Sequence, residues 1–281
     1  MHYPTDPMDA FRAFEIDGWN DRASTYDDFF GRITACVVDP LLDAAHVALG
    51  SRVLDVGTGT GSAAVRAAER GAIVVGIDPA AQMLARSTAT YPNAALCRAE
   101  AARLPFRDGA FDVVIANFLM PHLAHPAQEL AEMVRVAALG GTIALTTWDL
   151  PERSRLQGVF LDAVRAAGAA PPPGLPPGPP SFPFADDVEF RRLLLAAGLE
   201  ETGVQTLAFT YRVDGADTLW NGVLSGTVRT RPLVLGQPLD MQRRIRAEFD
   251  RIVRAYEAPG GGLDLPISVK LASGRKPGGA R

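Results

Sequence analysis

A chain of 281 residues, 47% hydrophobic and carrying a formal net charge of −4, has the size of one α/β domain with a substantial insertion. Its negative balance excludes a dedicated nucleic-acid binder, which needs a positive surface to track phosphates. Its two cysteines, Cys36 and Cys97, exclude a disulfide framework or a zinc knuckle and fit reduced small residues of a cytoplasmic protein.

Residues 1–18 read as a loosely held acidic arm with a short helix over 9–16 and no apolar run of signal-peptide length. A helical region follows over 19–49, with Tyr26, Phe29, Phe30, Ile33, Val37 and Leu41 near helical spacing and breaks expected near Gly31 and Pro40. Short apolar runs then alternate with helical stretches. Strands are predicted over 52–56, 73–77, 94–98, 111–116 and 142–148, and helices over 61–70, 80–89 and 127–136. That order implies right-handed βαβ crossovers and a mainly parallel sheet. The longest apolar run, 113–120, is too short to span a bilayer.

Residues 171–183 (PPPGLPPGPPSFP) are neither helix nor central strand and read as a polyproline-like loop. A helix over 186–197 stopped by Gly198, a strand over 200–213, a helical insert over 214–262 and a last strand over 263–273 follow. The expected organisation is a helical arm and cap (1–50), a cofactor-binding core (51–150), a lid loop with a core helix and strand (151–213), the insert as acceptor cap (214–262), and a last core strand with its tail (263–281).

The segment VLDVGTGTG at 53–61 carries the strongest signal. A buried strand enters a turn with glycines at 57, 59 and 61, where backbone can approach a ligand, and the next helix presents free N–H groups to it. The G-x-G-x-G spacing, with Asp55 two residues before the first glycine, suits a ligand bearing an ammonium group better than a pyrophosphate. Asp78 ends the second strand, where an acid accepts hydrogen bonds from two ribose hydroxyls. Glu100 follows the third strand, placed to accept a bond from an adenine amino group.

These residues and the runs VLDVGTGTG, VVGIDPAAQML, AEAARLPFRDGAFDVVIANF and VRVAALGGTIALTTW resemble the class I S-adenosylmethionine-dependent methyltransferases, in particular the small-molecule branch similar to the ubiquinone and menaquinone biosynthetic enzymes. The likeness covers about 19–148, and LPISVKLASGRKP more loosely; Ala138-Leu-Gly-Gly141 stands where the family usually has lysine-proline-glycine-glycine. It implies a Rossmann-like α/β fold, a seven-stranded, mostly parallel sheet with an antiparallel last strand and helices on both faces, and a helical insert as substrate cap. The implied cofactor is S-adenosyl-L-methionine. Gly57, Gly59 and Gly61 would pass its methionine and ribose, Asp55 would meet the amino-acid moiety and Asp78 the ribose. Met83 would pack beside the adenine. Glu100, where aspartate is commoner, would meet the adenine amine, and the Ala101 backbone N–H a ring nitrogen. Asn117 would line the methionine end, and Tyr26 lies in an aromatic segment that closes over the cofactor.

His122 and His125 invite a zinc reading, but no cysteine or carboxylate stands at ligand spacing, so no metal is expected. His122 matches a histidine common in the family and reads first as a structural or cofactor-adjacent residue; it is also the one candidate catalytic residue, the alternative role being a general base. Trp19 reads as core. The arginines at 229, 231, 243, 244, 246, 251 and 254 read as a solvated face partnered by Asp240, Glu248 and Asp250, with an anionic acceptor as the alternative. Leu219, Trp220, Val223, Leu224 and Val228 fit a face roofing the acceptor, or one packed on the sheet.

The implied reaction is in-line transfer of a methyl group to an O, N or C nucleophile of a small, largely apolar metabolite. The alternatives are a non-methylating step such as a cyclisation and a non-catalytic cofactor-binding scaffold. Asn117-Phe-Leu-Met120 lacks the Asn/Asp-Pro-Pro-aromatic pattern of nucleic-acid amino methyltransferases. The expected partners are a small-molecule acceptor and a second copy in a homodimer, with neither nucleic acid nor membrane, in the cytoplasm.

Overall fold

The computed structural model describes residues 7–180 and 182–278. It opens with three helices, α1 (Pro7–Arg22), α2 (Phe30–Ala35) and α3 (Val38–Ala44), and a single 3-10 turn at Tyr26–Asp28. The alternating core follows: β1 (Arg52–Val56), α4 (Ser62–Glu69), β2 (Ile73–Asp78), α5 (Ala81–Thr90), β3 (Ala95–Arg98), β4 (Phe111–Ala116), α6 (Pro126–Val136) and β5 (Ala137–Trp148). Then come α7 (Arg155–Ala166), α8 (Asp187–Ala196), β6 (Glu200–Val213), α9 (Ala216–Gly226), α10 (Thr230–Leu235), α11 (Leu239–Val253) and β7 (Leu263–Arg275).

The strands form one sheet in the order β3-β2-β1-β4-β5-β7-β6. β1 pairs in parallel with β2 and β4, whereas β7 runs antiparallel between β5 and β6. The expected mostly parallel Rossmann-like sheet is therefore present, with the last strand reversed. Leu54, Val114, Ile115 and Ala116 are fully buried, as befits central strands covered on both faces. Chain direction diverges between β1 and β4, and their carboxyl ends open the crevice where such sheets take ligands.

One face of the sheet packs against α6 and α8 through Leu130, Met133, Phe190 and Leu194. The other packs near β1 against α3 and α4 through Leu41, Leu42, Ala63 and Ala67. A third cluster joins β6 and β7 to α2, α7, α9 and α11 around Phe160, Leu219, Phe249 and Val269. No helix among the described residues is long and apolar enough to cross a membrane.

Two expectations are corrected. The arm is not loosely held: one helix spans Pro7–Arg22, and it buries Phe11 to 1% and Glu15 to 3% exposure; residues 1–6 lie outside the described part. The helical region breaks near Gly31 and Pro40, as expected, but just before them, at Phe29 and at Cys36–Val37. Gly31 sits inside α2, where a Cβ would meet Asp27 Oδ1 and the Tyr26 ring, and Pro40 sits in the first turn of α3, where its missing N–H removes no intrahelical bond. Finally, α7 has no counterpart among the predicted elements, although Leu156, Val159, Phe160 and Ala163 line one buried face. The strands predicted over 111–116 and 200–213 coincide with β4 and β6. β5 starts earlier than predicted, at Ala137, and Gly140 takes a left-handed φ of 74° within it. Within the proline-rich loop, Ser181 lies outside the described residues, as do 279–281 of the tail.

Candidate functional site

The site is built where β1, β2 and β4 end. Asp55 lies on β1 beside Gly76 of β2, and the missing side chain there makes room for Thr58: a Cβ on Gly76 would stand 2.8 Å from Thr58 Oγ1. Thr58 Oγ1 donates to Asp55 Oδ2 at 2.7 Å, while Oδ1 is buried without a hydrogen-bond partner. Burial pushes the Asp55 carboxyl up to about 7, against the pull of the Thr58 hydroxyl and with some help from the charge of Asp78.

Gly57, Gly59 and Gly61 all take positive φ, as the turn requires. A Cβ at Gly59 would meet nothing within 4 Å, so its open side faces free space, whereas one at Gly61 would run into the Ser87 side chain of α5. Asp78 at the end of β2 braces this turn: its carboxylate accepts from Gly59 N at 3.0 Å and Ala80 N at 2.8 Å. It is 8% exposed, and burial lifts it to about 6 against those two amides. A carboxylate has four lone-pair positions, so two remain for a ligand.

These two acids set a pH dependence. Each folded-state pKa lies above the unfolded value, so between roughly pH 4 and 7 the native chain binds more protons than the unfolded one. The sign of the linkage is then negative: their contribution falls as pH rises through that window. Thermal melts of the ligand-free protein from pH 5 to 8 should fall more steeply for wild type than for Asp55→Asn, and parallel curves would show that Asp55 titrates normally.

A cavity of about 370 Å³ opens over the turn. Tyr26, Asp55, Gly57, Gly59, Asp78, Met83, Glu100, Ala101, Asn117 and His122 all line it; Gly61 does not, and instead starts α4 beside α5. Several of these groups are already engaged. Asn117 Nδ2 donates to Thr34 O at 3.1 Å, and its Oδ1 accepts from Thr146 Oγ1 at 2.7 Å, so its amide ties β4 to α2 and β5. Tyr26 Oη lies 3.1 Å from Thr34 Oγ1, and burial raises its phenol to about 12. Glu100 is half-exposed and lies 3.5 Å from Arg12 of α1.

Sequence reasoning missed what α1 brings. Phe11, Glu15 and Trp19 recur every fourth residue, which puts them on one helix face, and that face borders the cavity. Trp19, read as core, stands edge-on between Tyr26 (5.7 Å between centroids) and His122 (4.9 Å). Glu15 Oε2 lies 2.8 Å from His122 Nδ1. The cap is also latched to the glycine turn, where Thr60 Oγ1 donates to Asp27 Oδ1 at 2.7 Å.

The face of α9 does not roof the cavity. Leu219, Val223 and Leu224 belong to the cluster under β6 and β7, and Trp220 stacks on Phe160 (5.4 Å) and meets Phe249 edge-on (4.9 Å). Of the five residues chosen for a roof, Val228 alone borders the cavity, in the α9–α10 connection with Thr227, Arg229 and, on α10, Thr230 and Leu233. Most of the arginine-rich stretch is a solvated face: Arg244 pairs with Asp240, Arg246 with Asp250 and Arg251 with Glu248. Arg229 is the exception, since it faces the cavity with its guanidinium 5.3 Å from the Phe11 ring centroid.

Comparison with known proteins agrees with this geometry. Residues 54–145 match the methyltransferase domain family. Over 119 residues the chain is 33% identical to the demethylmenaquinone methyltransferase of Beutenbergia cavernae, an alignment covering 42% of this chain and 50% of that one. Over 131 residues it is 37% identical to a phosphatidylethanolamine N-methyltransferase of Cereibacter sphaeroides, covering 44% and 63%. The chain thus spans between about half and under two thirds of the length of these relatives. Among solved structures, the YcgJ protein of Bacillus subtilis superposes with a TM-score of 0.57 at 18% identity, over 86% of this chain and 98% of that one. The matched strands and turn are those that build the cavity floor, and over this segment the chain is similar to the class I S-adenosylmethionine-dependent methyltransferases, in sequence to those of quinone biosynthesis.

Proposed function

We propose that the protein transfers the methyl group of S-adenosylmethionine to an O, N or C nucleophile of a small, largely apolar molecule. The observation that carries this reading is the buried, partnerless Oδ1 of Asp55 beneath the glycine turn. A buried acceptor without a donor is costly, and an ammonium group arriving from the cavity satisfies it. The amino-acid end of the cofactor supplies that group. Asp78 offers its two remaining lone-pair positions to the ribose, Glu100 and the Ala101 backbone face the adenine with Met83 beside it, and Tyr26 and Asn117 border the methionine end.

The bound cofactor supplies an electrophilic methyl carbon on a sulfonium. The chain's own part is to hold the acceptor in line behind that carbon and to keep water out. Phe11, Trp19, Phe30, Phe118 and Trp148 give the cavity an aromatic lining suited to an apolar acceptor. The N-terminal helices, the proline-rich loop through Leu175 and Phe182, and the α9–α10 connection supply the acceptor side in this reading. A cytoplasmic enzyme of metabolite biosynthesis, acting as a homodimer without nucleic acid, fits the acidic composition.

The test is formation of S-adenosylhomocysteine from S-adenosylmethionine with a panel of hydroxylated, amine and activated-carbon acceptors. Turnover with one class supports the reading. Tight cofactor binding without product across the panel would favour a non-methylating step or a scaffold.

A further inference from the structure

Two side chains outside the matched segment converge on the cavity from elements far apart in sequence. Glu15 comes from α1 and Arg229 from the connection between α9 and α10. Glu15 is 96% buried as a side chain, and its Oε2 binds His122 Nδ1 at 2.8 Å. Its other oxygen, Oε1, lies 3.9 Å from Arg229 Nη1, and both of those atoms are buried without a hydrogen-bond partner. Arg229 is otherwise held by the carbonyl of Pro176, at 3.1 Å from Nη2, and by the Phe11 ring.

An ionised carboxylate accepts hydrogen bonds only, so the neutral His122 ring carries its proton on Nδ1 and its lone pair on Nε2. No hydrogen bond within the described residues occupies Nε2, and the His122 side chain lines the cavity. Trp19 against its ring fixes the orientation. The charges around the imidazole come from three elements: Glu15 on α1, Arg229 in the α9–α10 connection, and Asp78 at the end of β2, whose carboxylate feels His122 through space.

We infer that Glu15 positions His122 as a proton acceptor facing the acceptor molecule, and that this molecule presents an ionisable hydroxyl, a phenol or an enol. The inference rests on the methyl-transfer reading above. A carboxylate acceptor has no proton to give and would leave the base idle. A neutral amine attacks with its own lone pair and needs no base beforehand. A hydroxyl suits the base, since it yields a proton to Nε2 as its oxygen becomes the nucleophile. The step balances: the O–H bond breaks with its proton going to Nε2, and an oxygen lone pair forms the new bond to the methyl carbon. The C–S bonding pair stays on sulfur, leaving a neutral thioether. The positive charge that entered on the sulfonium then rests on the imidazolium beside Glu15 and leaves as a proton to solvent.

Long-range nitrogen–proton correlation NMR on the protein bound to S-adenosylhomocysteine tests the positioning directly. Wild type should show neutral His122 protonated on Nδ1. Glu15→Gln should keep that tautomer, since the amide oxygen still accepts. Glu15→Leu should lose the tautomer preference. S-Adenosylhomocysteine affinity should stay within about threefold in both variants, which also shows that the site is folded. For the hydroxyl, 2-naphthol should bind this complex about tenfold more tightly than naphthalene, the scale of one satisfied hydrogen bond. An unchanged tautomer in Glu15→Leu would overturn the positioning role, and equal or absent binding of the two naphthalenes would overturn the hydroxyl. Failure of wild type to bind S-adenosylhomocysteine would instead strike the methyltransferase reading, with the tautomer of the ligand-free protein still deciding the role of Glu15.

Discussion

Trp220→Ala is expected to lower the unfolding free energy by about 3 kcal/mol, the lower end of the range for a large aromatic in a core, because part of its ring is exposed. The ring lies between Phe160 of α7 and Phe249 of α11, with the Arg246 guanidinium 5.0 Å from its centroid. Removing it leaves a void between three helices that do not collapse together, since α7 is held on β7 and α9 on β6. Cofactor affinity should stay within about twofold, because Trp220 touches neither the glycine turn nor the cavity lining. Denaturant melts and calorimetry on the same preparation separate the two quantities. Intact stability with a raised acceptor Michaelis constant would restore the helix face to the acceptor site.

Asp78→Ala is expected to weaken cofactor binding by about 1.5–3 kcal/mol, roughly tenfold to a hundredfold. Two losses combine. The ribose loses its charged acceptor, and the turn loses the carboxylate that holds Gly59 N and Ala80 N. The side chain is not at the surface, as a strand end suggests, but buried. The fold should nevertheless survive, because water entering the cavity can satisfy the two freed amides. Asp78→Asn removes less: its one side-chain oxygen still accepts from one of the two amides but lacks the charge, so an intermediate affinity is expected. Wild-type affinity in both variants would mean that the ribose lies elsewhere.

Some of this architecture was legible in the sequence because parallel strands buried on both faces must read as apolar runs. β4 emerges from Phe111-Asp-Val-Val-Ile-Ala116 without ambiguity, and its boundaries match residue for residue. The glycine turn and its two acids were legible because they are local: Asp55, Thr58 and the glycines lie within one short segment. α7 was missed although its spacing was present, because Ser154 makes no side-chain cap and the proline-rich stretch beyond it dominates the local reading. Glu15, His122 and Arg229 illustrate what a linear reading loses. Each is ordinary alone, and they meet only because α1 and the α9–α10 connection close over the same strand ends. The face of α9 shows the converse, since helical spacing identifies a buried stripe but not what buries it.

The central claim is that the glycine turn, Asp55 and Asp78 form an S-adenosylmethionine site, and isothermal titration calorimetry tests it most directly. Purified protein titrated separately with S-adenosylmethionine, S-adenosylhomocysteine and NAD should bind the first two with a Kd near 1 μM or tighter, about −8 kcal/mol. It should give no heat with NAD. Binding of NAD with no response to either sulfur ligand would contradict the account.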